Sequence, residues 1–434
     1  MTALLDARQA PALPEDFILG HLLRRQRDPL GLYLHAAETL GDFTRFRFVD
    51  KTLFLVTSPE GIARVLQDNV QNYVKGFGYA AMKTVMGEGL VTAEGEAWQE
   101  QRKRTQLAFQ STHMAKLRST MSEAVDRAVE RWPKQGGAID AFRASLQLSR
   151  SVASRTLFSL ESGAEVLDEL VPFLQREVTR RSLSLLPSLP WKTPTDRKFA
   201  RAVSELDAFI HGVIDRRLAL AEPPDDLLQS LITAWPEPES RKKLRDALVT
   251  LFLAAYETTA TSLTWTLELL ARHPEVAERL HDEVTTRPGD QLVFTRQVID
   301  ESLRLRPAVW LFARKAVNDD VIGEYRVPAG SYVLLSPWVN HRLSRFWSQP
   351  EAFNPNRFAP EARSSIPKFA FIPFSSGPRA CVGAGFAMLE LIASVAAIVK
   401  RYQLRMNGPV PAFDPQITLQ PRGGMPLLLT PRRS

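Results

Sequence analysis

Helix-type periodicity fills the middle of this chain and restricts its fold more than any other feature. Over residues 59–280, Ala, Leu, Glu and Arg recur at three-to-four-residue spacing between short glycine and proline breaks. Alternating strand-like runs occur before it, at residues 43–48 and 53–57 around a turn, and after it, at residues 331–335, 416–419 and 427–430. The pattern predicts a mainly α protein with small β-sheets made from its two ends.

Composition and cysteine usage describe a globular protein. The 434 residues include 44% hydrophobic residues and one cysteine, Cys381, and we expect residues 1–434 to form one domain. A single cysteine excludes an intramolecular disulfide and favours a reducing compartment. Because no uninterrupted apolar run approaches about 18 residues and the N-terminus lacks a signal-peptide core, we expect a cytoplasmic protein without a membrane anchor.

Common motif searches exclude several classes of function. The seven histidines show no zinc-ligand spacing, and neither a Walker loop nor a Gly-x-Ser-x-Gly elbow occurs. Gly76-x-Gly78 follows a polar stretch instead of a buried strand, so it predicts a loop and not a dinucleotide site. The net charge of +7 is spread over short clusters without interleaved aromatic residues, which favours an acidic protein partner over nucleic acid.

The sequence around Cys381 predicts a thiolate ligand. In Phe374-Ser-Ser-Gly-Pro-Arg-Ala-Cys-Val-Gly383, glycines lie two and four residues from the sulfur and permit a sharp turn that aims N–H groups at it. A helix is predicted directly afterwards, over residues 384–400, and its positive N-terminal end favours the thiolate form. A thiolate with N–H donors and the aromatic neighbour Phe374 suits an axial iron ligand.

A long helix with a polar centre is predicted over residues 244–269. Its apolar stripe is interrupted by the small and polar run Ala254-Ala255-Tyr256-Glu257-Thr258-Thr259. Two explanations stay open for this run. The Thr258 hydroxyl either bonds back to the preceding turn, or the helix widens locally and leaves room for a diatomic ligand or water.

These segments resemble the cytochrome P450 family. The cysteine loop matches the family's haem-binding signature, Phe-x-x-Gly-x-Arg-x-Cys-x-Gly, at every fixed position, and the resemblance covers essentially the whole chain. It implies the P450 fold, haem b (iron protoporphyrin IX) as cofactor and Cys381 as the proximal thiolate ligand. It also implies that Arg379 contacts a propionate, that Phe374 packs near the sulfur, and that Gly383 belongs to the cofactor-binding loop.

The long helix is similar to the family's oxygen-activation helix, Ala/Gly-Gly-x-Asp/Glu-Thr-Thr. Thr258 then matches the residue that hydrogen-bonds dioxygen, and Glu257 matches the acid of a proton relay. This chain departs from the pattern at Ala255, where the family commonly has glycine. Two effects of the added methyl group stay open: a narrower groove for oxygen or a shifted ligand.

The family comparison gives roles to two further sets of charged or aromatic residues. One set is a Glu-x-x-Arg network that fixes the loop carrying the cysteine, and the other contacts the haem propionates. They are Glu301, Arg304 and Arg357 in the network, and Trp98, Arg102 and Arg314 at the propionates.

The resemblance implies a monooxygenase that inserts one oxygen atom of O2 into a C–H bond of a hydrophobic small molecule. Residues 305–310 and 374–377 look most like those of bacterial members that oxidise cyclic terpenes. The resemblance implies that residues 1–434 are a single haem domain with no fused reductase. A separate ferredoxin would then supply electrons and dock at basic residues such as Arg102, Lys103 and Arg104. The expected pocket residues are Phe77, Tyr79, Leu251, Ala254, Ala255, Val309, Trp310, Leu311 and Met425.

Three alternatives stay open at this point. A fatty-acid hydroxylase is disfavoured because the pocket candidates include no cation for a carboxylate. A peroxide-driven peroxygenase is disfavoured because such family members often carry arginine at the acid–alcohol pair, which is intact here as Glu257-Thr258. The third alternative is a haem-free helical interaction protein.

Overall fold

The computed structural model describes residues 8–109, 111–160, 163–183 and 193–432, and their contacts divide the chain into two units. The first unit runs to Phe77 and resumes over Gln297–Cys381, and the second contains Gly78–Arg296 and the residues from Val382 onward. Helices predominate, and the described ranges contain four small sheets. The predicted fold class, mainly α with small β-sheets, is confirmed.

A five-stranded sheet of order β1-β2-β8-β5-β3 organises the first unit. Its hairpin of β1 (Phe43–Phe48) and β2 (Lys51–Val56) is the predicted one, and β8 (Tyr332–Leu335) pairs in parallel with β2. The sheet is completed by β5 (Phe312–Ala316) and β3 (Tyr73–Lys75). Alternate side chains such as Phe54, Val56 and Leu335 enter a buried apolar cluster.

Short helices and one further hairpin complete the first unit. Pro29 at the first turn and the Asp28 side chain, which accepts from the Gly31 N–H, start α2. The elements are α1 (Leu22–Arg27), α2 (Pro29–Leu40), α3 (Pro59–Ala63), a π-helical turn (Arg64–Asp68), β6 (Asp320–Ile322), β7 (Tyr325–Val327), α14 (Pro337–Asn340) and α15 (Pro360–Arg363).

The second unit is a helical bundle with two small sheets of order β4-β12-β9 and β10-β11. Its elements are α4 (Tyr79–Met86), α5 (Gly95–Ala108), α6 (Ser111–Val129), β4 (Gly137–Asp140), α7 (Ala141–Phe158), α8 (Leu167–Leu183), α9 (Pro194–Leu218), α10 (Leu227–Ala234), α11 (Arg241–Arg272), α12 (Pro274–Thr286), α16 (Ala384–Arg401), β9 (Tyr402–Met406), β10 (Phe413–Pro415), β11 (Leu419–Pro421) and β12 (Pro426–Pro431). Helix α13 (Val293–Leu305) runs from this unit into the first.

The long helix α11 lies at the centre of the second unit. It packs against α7 and α16, and α6 also packs against these two helices. Burial on nearly all sides explains why its sequence is apolar around most of its circumference. The predicted helices at residues 244–269 and 384–400 are confirmed as α11 and α16.

One predicted strand is wrong. Residues 416–419 form mostly the turn between β10 and β11, because the Gln416 N–H donates to the Asp414 carbonyl at 2.9 Å and its side chain donates to the Asp414 carboxylate at 2.9 Å. Within the described ranges, no helix has both the length and the apolar content that crossing a bilayer requires.

Candidate functional site

The cysteine loop closes on itself and leaves its thiol exposed. The Cys381 N–H donates to the Phe374 carbonyl at 2.9 Å, across a 3-10 turn at Gly377–Arg379. Ser375 and Gly377 adopt positive φ angles of 60° and 71°, which turn the backbone sharply between the two ends. The Cys381 side chain is exposed, so the loop presents a thiol instead of burying one.

Gly377 is required where this loop packs on the π-helical turn. A Cβ atom at this position would lie 2.0 Å from the Leu66 carbonyl oxygen, and the positive φ adds strain for any other residue. The buried Asp320 carboxylate holds the turn, because it accepts from Arg64 at 2.7 Å, Asn69 at 2.9 Å and the neighbouring Tyr73 hydroxyl at 2.8 Å. The sequence analysis missed this support.

The structure brings Glu301, Arg304 and Arg357 together in the first unit. Arg304 donates to both carboxylate oxygens of Glu301, at 2.7 and 2.8 Å, and Arg357 donates to one of them at 3.3 Å. The Asn354 N–H adds a fourth donor at 2.9 Å. Glu301 and Arg304 are fully buried, so their charges depend on each other for stabilisation.

His341 connects this network to the cysteine loop, and the sequence analysis missed it. Its Nε2 accepts the Ile372 N–H at 2.9 Å, so its Nδ1 carries the proton and donates to the Arg304 carbonyl at 3.2 Å. Burial lowers the pKa of His341 to about 3, with the charges of Arg304 and Arg342 acting in the same direction. A neutral histidine therefore joins Arg304 to the backbone of Ile372, two residues before Phe374.

A small window opens in the middle of α11. Between Leu244 and Leu270 every residue is buried except Ala254, Ala255 and Thr258, which share one side of the helix at i, i+1 and i+4 spacing. The Thr258 hydroxyl donates to the Ala254 carbonyl at 2.6 Å, which is the first of the two explanations above. The helix is α-helical throughout, so the space comes from small side chains, and the second explanation, a local widening of the helix, is wrong.

Glu257 points to the β10–β11 hairpin of the second unit. Its carboxylate accepts from the Thr418 hydroxyl at 2.5 Å and from the Gln420 amide. Burial raises the pKa of Glu257, and these two hydrogen bonds offset the rise in part. The sequence analysis did not single out Thr418 or Gln420, since nothing in the local pattern ties them to a residue about 160 positions away.

The residues assigned to the propionates lie in both units. Arg314 is buried on β5 and donates to the Ala313 carbonyl at 3.1 Å, and Arg379 is half-buried in the cysteine loop. Trp98 and Arg102 are half-buried one turn apart on α5, and Gly383 begins α16 with no side chain capping its first turn. Within the first unit, an exposed thiol at Cys381 and the guanidinium groups of Arg314 and Arg379 are the types of group that a haem iron and its carboxylates require, so these three residues fit that cofactor.

The expected pocket residues differ in exposure. In the first unit, the Phe77 ring lies 5.4 Å from that of Tyr332, and Trp310 is buried with its ring 6.4 Å from Tyr33. Half-buried residues retain surface for a ligand; they are Phe77, Tyr79, Ala254, Ala255, Val309 and Leu311. Leu251 is almost fully buried.

Met425 requires a correction. It has no accessible surface, so its side chain lines no open pocket. Its backbone instead joins β12 to α7, since its N–H donates to the Asp140 carboxylate at 2.9 Å and its carbonyl accepts from the Ala141 N–H at 2.8 Å.

Glu390, on α16, makes stability depend on pH. Burial raises its pKa to about 8 from an ordinary 4.5, and the Ser149 hydroxyl offsets this only in part. Between these values the folded state binds more protons than the unfolded state, so the free energy of unfolding falls as pH rises and the loss is complete above about pH 8. We expect Glu390→Gln to remove this dependence and to stabilise the protein by on the order of 4 kcal/mol above pH 8, but not below pH 4.5.

Urea unfolding of both proteins across that pH range measures the effect. Glu275→Gln, on the neighbouring helix α12, is a suitable control because Glu275 is 70% exposed, and it should leave the pH profile of stability unchanged. Parallel profiles for wild type and Glu390→Gln would show that Glu390 does not hold a proton in the folded state.

The comparisons with known proteins agree with this geometry. The sequence model of the family described as Cytochrome P450 matches residues 11–428. Cyclooctatin synthase of Streptomyces melanosporofaciens is 30% identical over 96% of this chain and 93% of its own length. Pentalenene oxygenase of Streptomyces avermitilis is 28% identical over 90% of each chain, and the chloroplastic protein LUTEIN DEFICIENT 5 of Arabidopsis thaliana is 28% identical over 91% of this chain and 73% of its own. The chain belongs to the cytochrome P450 family and is a P450 monooxygenase.

Proposed function

We propose that this P450 inserts one oxygen atom of O2 into a C–H bond of a terpenoid, with haem b held by Cys381 and electrons supplied by a separate ferredoxin. Residues 1–434 then act as one haem domain. The proposal depends on one observation. Ala254, Ala255 and Thr258 are partly exposed, whereas every other residue between Leu244 and Leu270 is buried. A small groove with one hydroxyl suits dioxygen. A lone cysteine that must stay available as a ligand supports a reducing compartment, and we assign the protein to the cytoplasm.

The bound haem supplies the iron at which dioxygen is activated, and thiolate ligation favours O–O cleavage. The chain's own residues supply the rest. Cys381 would hold the iron, Arg314 and Arg379 of the first unit would bind propionates, and the same role is proposed for Trp98 and Arg102 of the second unit. The Thr258 hydroxyl donates its proton to the Ala254 carbonyl, so its oxygen would accept a hydrogen bond at the window, and Glu257, whose pKa is raised by burial, would hold the proton that the relay transfers.

A terpenoid substrate is supported by the apolar character of the candidate residues. Ala254 and Ala255 present methyl groups, and Phe77, Val309 and Leu311 are half-buried apolar side chains of the first unit. The name of pentalenene oxygenase specifies pentalenene as the compound oxidised. A further relative, from Streptomyces melanosporofaciens, is named cyclooctat-9-en-7-ol 5-monooxygenase. Titration of the haem-loaded protein with cyclic terpenes and with fatty acids tests the proposal: terpenes should displace the iron-bound water and shift the Soret band, and a response to fatty acids alone would contradict it.

Thr258→Ala should uncouple the reaction. Haem binding and the thiolate spectrum should stay unchanged, while product formed per reductant consumed falls several-fold and hydrogen peroxide rises, because the polar hydroxyl at the window is lost. Thr264→Ala is a matched control, since Thr264 makes the same back-bond, at 2.7 Å to the Ala260 carbonyl, but is buried. Full coupling in Thr258→Ala, or equal uncoupling in the control, would remove Thr258 from the relay.

A basic rim beside the cysteine loop supports an acidic ferredoxin. A cleft of about 270 Å³ in the first unit is bordered by Arg363 and Lys368 and reaches Ser375 and Ser376 of the loop. In the second unit Lys103 is exposed, whereas Arg104 is engaged with Glu100 at 3.3 Å. Opposite charges steer such encounters and make them dependent on salt.

We expect Lys368→Glu and Lys103→Glu to slow haem reduction by a ferredoxin, by roughly tenfold or less at low salt, and the difference should disappear at high salt. Lys134→Glu, another exposed lysine, is the control. Stopped-flow reduction measures the rates. Unchanged rates in both variants would contradict docking at these lysines.

A further inference from the structure

The π-helical turn on which the cysteine loop packs has an unusual backbone. Over Arg64–Asp68 the helix widens, and the Asn69 N–H donates to the Arg64 carbonyl, five residues earlier, at 2.9 Å. An α-helix makes this bond to the carbonyl four residues earlier. Turns of the π type are rare, and many of them occur at functional sites. The groups that hold this turn therefore matter for the loop that packs on it.

The Asp320 carboxylate bonds to both ends of this turn. It accepts from Arg64, the first residue, at 2.7 and 3.2 Å, and from the Asn69 side chain, just past the last residue, at 2.9 Å. The Tyr73 hydroxyl and the Val321 N–H donate to it at 2.8 and 2.9 Å. Burial alone would raise the pKa of Asp320, but the hydrogen bonds from Arg64, Tyr73 and Asn69 hold it below its usual range. An ionised carboxylate therefore fixes the length and the form of the turn.

The middle of the turn contacts the segment that carries the cysteine in two ways. The backbone of Gly377 approaches Leu66 so closely that a Cβ atom on Gly377 would lie 2.0 Å from the Leu66 carbonyl oxygen and 2.9 Å from its carbon. The Leu66 side chain also belongs to the same buried apolar cluster as Ile372, which precedes the loop. Close-packed interiors transmit small displacements, so a shift of the turn moves the backbone that leads to Cys381.

We propose that Asp320 is a positioning residue for the iron ligand. By holding both ends of the π-helical turn, it fixes the surface on which Gly377 lies, and it thereby keeps the Cys381 thiolate directed at the haem iron. This inference rests on the proposed function, in which Cys381 holds the iron. Residues that orient a metal ligand without touching the metal tune both metal affinity and reduction potential. A thiolate donates more electron density to iron than a neutral ligand does, so its loss raises the reduction potential.

Asp320→Asn in the haem-loaded full chain tests this proposal. The substitution keeps the shape of the side chain, removes its charge and replaces one acceptor oxygen by an N–H2 group, which faces donors that have lost their partner. The fraction of the reduced carbon monoxide complex that lacks the thiolate Soret band should increase several-fold, and the reduction potential of the iron should rise. Asn69→Ala frees one end of the turn and leaves the ion pair with Arg64, so it should cause smaller changes in the same directions.

Asp226→Asn is the matched control. Asp226 lies in the second unit and is as buried as Asp320, and its carboxylate accepts from Arg217 and from the Ser159 hydroxyl, each at 2.6 Å. The control should lower the denaturant midpoint but keep the thiolate band and the reduction potential.

Two results would overturn the positioning role of Asp320. In the first, Asp320→Asn and Asn69→Ala both keep the wild-type fraction and potential. In the second, Asp226→Asn changes them as much as Asp320→Asn does, which would indicate a general loss of stability. A wild-type protein without the thiolate band is a different result, because it would overturn the role of Cys381 itself and this inference with it.

Discussion

Replacement of Cys381 by serine is expected to abolish monooxygenase turnover and to remove the thiolate signature from the reduced carbon monoxide complex. The loop presents this side chain to solvent and holds its backbone through the 2.9 Å hydrogen bond to Phe374, so the substitution changes the ligand atom and little else. A serine hydroxyl is a far weaker donor to iron than a thiolate, and it cannot favour O–O cleavage in the same way.

Absorption spectra, haem content and product formation measure this effect together. Ser376→Ala is the control, because Ser376 is half-buried in the same loop and is given no ligand role. That variant should keep both the spectrum and the turnover. Turnover in Cys381→Ser at the wild-type rate would show that another residue holds the iron.

Glu301→Gln is expected to destabilise the first unit by about 3–5 kcal/mol, since it leaves a buried charge uncompensated. Arg304 is fully buried, and its two contacts with the carboxylate are the strongest charge-assisted bonds of the network. Its other donors go to the neutral carbonyls of His341, Pro350 and Ala352. A glutamine oxygen can accept one hydrogen bond from Arg304 but offers no compensating charge.

Denaturant midpoints and haem retention measure the loss. Glu324→Gln is the matched control, because Glu324 also pairs with an arginine, Arg8, but both side chains are more than half exposed, where ion pairs contribute little. That control should leave the midpoint nearly unchanged. Equal midpoints for Glu301→Gln and wild type would contradict a structural role for the network.

The elements that local patterns define were predictable from the sequence. Three-to-four periodicity predicted α11 and α16, and alternation predicted the β1–β2 hairpin. An element with one buried face has apolar residues at a regular spacing in its sequence. The strand expected at residues 416–419 failed for a local reason as well. Its alternation mimics a strand, while the Asp414 and Gln416 side chains stabilise a turn.

The long-range contacts of the site were not predictable. Arg64 and Asp320 are separated by 256 positions, and neither has a neighbour in the sequence that indicates this ion pair. The contact of Gly377 with the Leu66 carbonyl, and the bonds from Thr418 and Gln420 to Glu257, depend in the same way on how distant segments pack. The burial of Met425 could not be predicted from the sequence either, because a methionine suits a pocket wall and a closed core equally.

The reduced carbon monoxide spectrum of the wild-type protein, purified with haem supplied, tests the central claim most directly. We expect the strongly red-shifted Soret band that a thiolate ligand produces, in a protein that keeps its haem through purification. A colourless protein, or a Soret band at the position given by a neutral nitrogen ligand, would contradict the assignment of Cys381 to the iron.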